Sequence, residues 1–165
     1  MTKTLVIVRH AKSSWDEPGL DDFDRPLNHR GLKDAPKMGR RLRKGNLKPG
    51  RIVSSPAVRA LHTCRLICEE LKIPMSSIQE EELLYHAGAD TILSVIKKTP
   101  DDVDTVMIVG HNPGLTDFVD SLCGEGPVNL PTASVTFIEL PGDSWKNIRS
   151  GSGLLRSHDY PKKED

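Results

Sequence analysis

Residues 4–15 read TLVIVRHAKSSW. Leu5 to Val8 is a short, unbroken apolar run rich in β-branched side chains, the pattern of a strand covered on both faces. It passes directly into Arg9 and His10, a cation and an imidazole at the strand tip. Residues 104–115, DTVMIVGHNPGL, repeat the theme. There a strand over Val106–Val109 breaks at Gly110 and delivers His111.

Outward from these two strands, helical and extended patterns alternate. Asn28 and Gly31 lead into an amphipathic helix over 31–44, with Leu32, Ala35, Met38, Gly39 and Leu42 on one face and Gly45 as its stop. Arg51–Ser54 is a second short strand. In SSPAVRALHTCRLICEEL, residues 54–71, Ser55 is the expected N-cap and Pro56 fits the first turn of the next helix. DTILSVIKK, residues 90–98, predicts a helix capped by Asp90, and LTDFVDSLC, residues 115–123, a short one. ASVTFIEL, residues 133–140, alternates as a strand, with SWKNI, residues 144–148, as its hairpin partner across Pro141 and Gly142. The polar tail after Leu155 is expected to be frayed. Strands alternating with helices predict an α/β chain: a three-layer α/β/α sandwich on a mostly parallel sheet, one domain over 1–165.

The chain has 165 residues, with 23 Lys plus Arg against 23 Asp plus Glu. A zero formal charge argues against a general nucleic-acid or anionic-membrane binder, so any anion site must be local. No segment reaches membrane-spanning length, and Leu5–Val8 is too short for a signal-peptide core. Cys64, Cys68 and Cys123 form no metal-knuckle pattern, and the odd count suits a reducing, cytoplasmic setting.

In open α/β sheets, ligands bind beyond the carboxyl ends of the strands. Arg9, His10, Ser54, Ser55 and His111 all follow predicted strands, and Arg59 lies one turn into the helix after Pro56. Two arginines and two histidines around one point repel each other unless an anion joins them. Phosphate fits, because guanidinium groups fork its oxygens and a helix N-terminus adds N–H donors. A neutral histidine there can also accept a phosphoryl group. Singly, these residues mean little: a histidine after a strand is usually a loop residue, and Arg59 alone would be a solvated helix residue. His29, His62, His86 and His158 read as structural or surface, and Gly110 and Gly114 as punctuation.

VRHAKSSW (8–15), RPLNHRG (25–31), SSPAVRALHT (54–63) and VGHNPGL (109–115), in that order, resemble the histidine phosphatase superfamily, also called phosphoglycerate mutase-like. The small size is most similar to its SixA-type phosphohistidine phosphatase branch. The resemblance implies a phosphoglycerate mutase-like fold and a metal-independent, cofactor-free phosphatase. It makes His10 the phosphorylated nucleophile, with Arg9, Arg59 and His111 completing the phosphate pocket. Ser13 and Arg25 fall at the rim, and Asn112 shapes its turn or touches substrate. Ala11 stands where many members have glycine. The mid-chain carboxylate that many members use as general acid has no unique counterpart. Glu80, Glu81 and Glu82 form a charge run, and Tyr85 and His86 are alternatives. The implied substrate is a phosphorylated protein side chain, phosphohistidine. Alternatives are a small phosphorylated metabolite, or a catalytically silent phosphate-binding module.

Overall fold

The computed structural model describes residues 1–126 and 129–163. Its strands are β1 (Thr2–Arg9), β2 (Arg51–Ser54), β3 (Ile78–Glu80), β4 (Thr105–Gly110), β5 (Val135–Pro141) and β6 (Leu154–Asp159). They form one sheet in the order β3-β2-β4-β1-β5-β6. The β3–β2, β2–β4 and β4–β1 pairs are parallel, whereas β5 and β6 run antiparallel to their neighbours.

Helices α1 (His29–Lys44) and α2 (Val58–Leu71) cover one face; α3 (Ala89–Lys97) and α4 (Gly114–Cys123) cover the other. The side-chain period of two explains why the β1 and β4 runs are continuously apolar. Val6, Val8, Met107 and Val109 pack towards Ala35, Met38, Cys64 and Ile67. Leu5, Ile7, Val106 and Ile108 pack towards Ile92, Val95, Leu115 and Phe118. Each side chain of this size contributes roughly 1.5–3 kcal/mol on full burial. The three-layer sandwich expected from the sequence is the one observed.

Local expectations differ at four places. Helix α1 begins at His29, with the Asn28 side chain accepting the Gly31 N–H at 2.9 Å. The residue before α2 is Ala57, and Ser55 makes no cap to the helix. The residue before α3 is Gly88, leaving Asp90 inside the first turn, where its charge still faces the positive helix end. The partner of β5 is β6, not residues 144–148. Trp145 instead enters the core completely, its indole N–H donating to the Val103 carbonyl at 2.7 Å. The run of β6 to Asp159 also makes the first four residues of the tail expected to fray part of the sheet. Arg41 of α1 anchors it through the Asp159 carboxylate and Tyr160 carbonyl, both at 2.9 Å.

Glycine lets the backbone approach closely where α1 meets the end of β1. A Cβ on Gly31 would lie 2.2 Å from the Lys12 carbonyl oxygen. Among the described residues no helix is long and apolar enough to cross a membrane.

Candidate active site

Strand register assembles the site. Arg9 pairs with Gly110 across β1 and β4, so His10 and His111 occupy the next, unpaired step of two adjacent parallel strands. Their rings lie 5.1 Å apart between centroids, close to the natural spacing of neighbouring strands. Ser55 leaves β2 on the same edge, its N–H donating to the Val109 carbonyl at 3.0 Å. Arg59 enters from the first turn of α2 and is buried. The structure thus brings together Arg9, His10, Arg59 and His111 from three separate stretches of sequence.

His10 is held in one tautomer. Its Nδ1 lies 2.7 Å from the Ala11 carbonyl oxygen, which can only accept, so Nδ1 carries the hydrogen and Nε2 keeps its lone pair. Burial above all, then the charges of Arg59, Arg9 and Arg25, press its pKa down to about 4 despite the Ala11 bond. Burial, then His10 and Arg59, lower His111 to about 3. Both rings are neutral at pH 7. His111 Nε2 meets Ser55 Oγ at 2.8 Å, and that hydroxyl also accepts the Ala57 N–H at 3.2 Å. The expected helix cap thus orients a histidine instead. His111 Nδ1 and Arg9 Nε are buried without a hydrogen-bond partner, an arrangement that calls for a further polar group.

These two histidines make stability pH-dependent in a defined direction. An unfolded histidine titrates near 6.5, above both folded values. The unfolded chain therefore takes up protons first as pH falls from about 6.5 towards 4, and folding weakens across that window. Thermal midpoints measured from pH 7.5 to 4.5 are expected to fall, and to fall less steeply in a His10→Asn/His111→Asn double variant. Parallel curves would contradict buried neutral rings.

The rim residues come together, but mainly with one another. Arg25 donates to Ser13 Oγ at 2.6 Å, to the Ser14 carbonyl and the Asp22 carboxylate, each at 3.0 Å. Its guanidinium stacks 3.3 Å from the ring centre of exposed Trp15. Asn112 is committed on both sides of its amide. Its nitrogen donates to Leu130 O and Asn129 Oδ1, while its oxygen accepts the Thr116 N–H and hydroxyl, so it shapes the start of α4. Arg9 shares the Leu130 carbonyl at 2.7 Å.

Two residues were not legible as part of the site. Asp22 lies in an acidic stretch, DDFD, where nothing distinguishes it from Asp21 or Asp24. It accepts from Arg59 Nη2 at 3.0 Å, the Tyr85 hydroxyl at 2.6 Å and Arg25 Nη1 at 3.0 Å. Those bonds, Tyr85 first, hold its carboxyl far below the usual carboxylate range. Thr63 sits one helical turn after Arg59. Its hydroxyl donates to the Arg59 carbonyl at 2.7 Å and accepts the Ala11 N–H at 2.9 Å, tying the residue after His10 to α2. The spacing of four from Arg59 was the available signal.

Of the acid candidates, Tyr85 and His86 reach the site and the glutamates do not. The Tyr85 ring stands 5.5 Å from His111 in an edge-to-face arrangement. His86 lines a cavity of about 460 Å³ with Asp22, Arg59, His111, Asn112 and Asp117. Glu80 ends β3, exposed, and Glu81 turns its carboxylate back to the Leu83 N–H. Among the described residues no three His, Cys, Asp or Glu side chains form a metal-holding group.

Residues 5–84 match the family model of the histidine phosphatase superfamily, branch 1. The chain belongs to the histidine phosphatase superfamily. It is 26% identical to the phosphohistidine phosphatase SixA of Escherichia coli over 138 residues, 82% of this chain and 84% of that one. A solved structure assigned as SixA from Agrobacterium tumefaciens superposes with a TM-score of 0.82 at 27% identity, covering 96% of this chain and 98% of the other. A Bacillus anthracis phosphoglycerate mutase shares the fold, with a TM-score of 0.65 at 17% identity over 94% of this chain and 92% of that one. This histidine phosphatase is accordingly a hydrolase of the phosphatase type with a phosphoglycerate mutase-like architecture.

Proposed function

We propose that the protein is a phosphohistidine phosphatase that works through a phosphorylated His10. The observation that carries this reading is the protonation of the site. His10 and His111 are neutral, and the one carboxylate beside Arg59 is held ionised by Tyr85, Arg59 and Arg25. Tyr85 keeps its proton tightly, burial and Asp22 together raising its pKa. With Tyr85 committed to Asp22, an alkoxide, a poor leaving group without a proton, has only exposed His86 of the expected acid candidates to turn to. A phosphohistidine needs none. With its second ring nitrogen protonated, it departs as neutral imidazole when the P–N bond breaks.

The steps balance. His10 Nε2 donates its lone pair to phosphorus while the P–N bond of the substrate breaks, its electron pair returning to the leaving nitrogen. Phospho-His10 retains its hydrogen on Nδ1, against the Ala11 carbonyl. Water then attacks phosphorus, the bond to Nε2 breaks, and both water hydrogens leave with dihydrogen phosphate. Arg9, Arg59 and His111 offset the charge on the phosphoryl oxygens in each step. Buried Arg9 Nε–H without a partner supports an anion at this place, as does His111 Nδ1–H in the tautomer in which the Ser55 hydroxyl donates to Nε2. The phosphohistidine named for SixA supports a phosphorylated protein side chain as substrate. Three free cysteines suit a reducing cytoplasm.

The test is covalent trapping. Incubation with ³²P-labelled phosphoramidate and rapid alkaline quenching is expected to leave acid-labile label on the peptide carrying His10. Phosphoramidate turnover should also exceed that of an alkyl phosphate. Label absent from His10, or preference for the alkyl ester, would refute the reading.

A further inference from the structure

Asp22 is bonded to three side chains around the pocket, Arg59, Arg25 and Tyr85. Besides the three bonds to its carboxylate, its backbone carbonyl accepts from Arg59 Nη1 at 2.6 Å. Arg59 therefore presents one N–H from each terminal nitrogen to Asp22, by carbonyl and carboxylate together. A guanidinium has five N–H groups, so three remain, the Nε–H among them. A phosphate oxygen pair needs two neighbouring N–H groups in a fixed fork.

We infer that Asp22 is a positioning residue: it grips one end of the Arg59 guanidinium so that the remaining edge is presented to the phosphoryl group. It need not touch the phosphate itself. The inference rests on the reading of this site as a phosphate pocket.

The geometry explains three things that the phosphate reading alone does not. Among the described residues Asp22 is the carboxylate that pairs with Arg59, so the Arg59 rotamer is set from outside its own helix. Arg25 and Arg59 share that one carboxylate, whose charge offsets their repulsion before any substrate arrives. Asp22 is itself braced at both flanks. Tyr85 donates to it at 2.6 Å, with Phe23 edge-on against the Tyr85 ring at 5.1 Å. Arg25 is clamped by Trp15, Ser13 and Ser14. The loop after His10 thus carries a rigid strut, Trp15–Arg25–Asp22, that ends on the arginine of α2.

The rival role for an acid at this place has the opposite sign. A carboxylate that merely competes with phosphate for Arg59 would, when removed, let phosphate bind more tightly. A positioning carboxylate would, when removed, let it bind more weakly. Orthophosphate binding to wild type, Asp22→Ala and Asp22→Asn can be followed by calorimetry, with thermal unfolding as a check on folding. Weakening of roughly tenfold or more is expected for Asp22→Ala, the range of a lost hydrogen-bonded charge contact. KM for phosphoramidate should rise in step, whereas a loss of folded protein lowers apparent kcat and leaves KM alone. Tyr85→Phe, which removes a single bond to the same carboxylate, should weaken phosphate binding by a smaller factor and serves if Asp22→Ala does not fold. Unchanged or tighter phosphate binding in these variants would overturn the inference. The outcome is separable from the substrate assignment. Phosphate can weaken as expected while phosphoramidate is not turned over, which would leave Asp22 in place and remove only the phosphohistidine reading.

Discussion

His10→Ala is expected to reduce phosphoramidate turnover by about 10⁴-fold or more, as loss of a covalent nucleophile does elsewhere. The substitution removes Nε2, the atom proposed to receive the phosphoryl group. His111 lies one strand over, with its Nε2 engaged by Ser55. The same variant should carry no acid-labile label after trapping, while its thermal midpoint near pH 7 stays close to that of wild type. His10 contributes a neutral, largely buried ring there, and alanine leaves space beside solvent-accessible groups. Steady-state phosphate release at the wild-type rate from His10→Ala would eliminate the phospho-enzyme route altogether.

Arg59→Ala should be nearly as damaging, with kcat/KM falling by about 10³-fold. Two effects act together. The phosphoryl oxygens lose a forked cation, and the Asp22 carboxylate loses a partner and turns its charge on the incoming anion. Arg59→Lys should restore little, because an ammonium cannot bond Asp22 at two points and still present a fork to phosphate. A double-mutant cycle checks this coupling. Asp22→Ala added to Arg59→Ala should cost much less than Asp22→Ala alone, because the residue it positions is already gone. Strict additivity would mean that the two act independently.

Much of the architecture could be read in one dimension because the relevant signals are local. Leu5–Val8 and Val106–Val109 are unbroken apolar runs because helices cover both faces of the sheet there. Helix α1 carries its stripe and its Asn28 cap within a few residues of chain. Strand β6 carried no such signal. Its side chains are half or fully exposed, and its strand identity depends on the free edge of β5. Residues 144–148 looked like a better partner by position. Trp145 gains far more by burying its whole ring in the core than by lying in an exposed hairpin.

The candidate site divides in the same way. The sequence by itself determined which residues end the central strands: Arg9 as the last of β1 with His10 after it, Ser55 after β2, His111 after β4. Alternation of apolar runs and polar tips is a local code, and a parallel sheet sends all such tips to one edge. Tertiary structure alone decided what those tips do. The pairing of Arg9 with Gly110 placed the two imidazoles side by side, and burial with nearby arginines made both neutral. Ser55 Oγ bonds His111 as well as the Ala57 N–H, and Asp22 rather than a glutamate of residues 80–82 became the carboxylate paired with Arg59. Protonation and hydrogen-bond partnership depend on distances and solvent exclusion among groups far apart in the chain, and no local pattern encodes those.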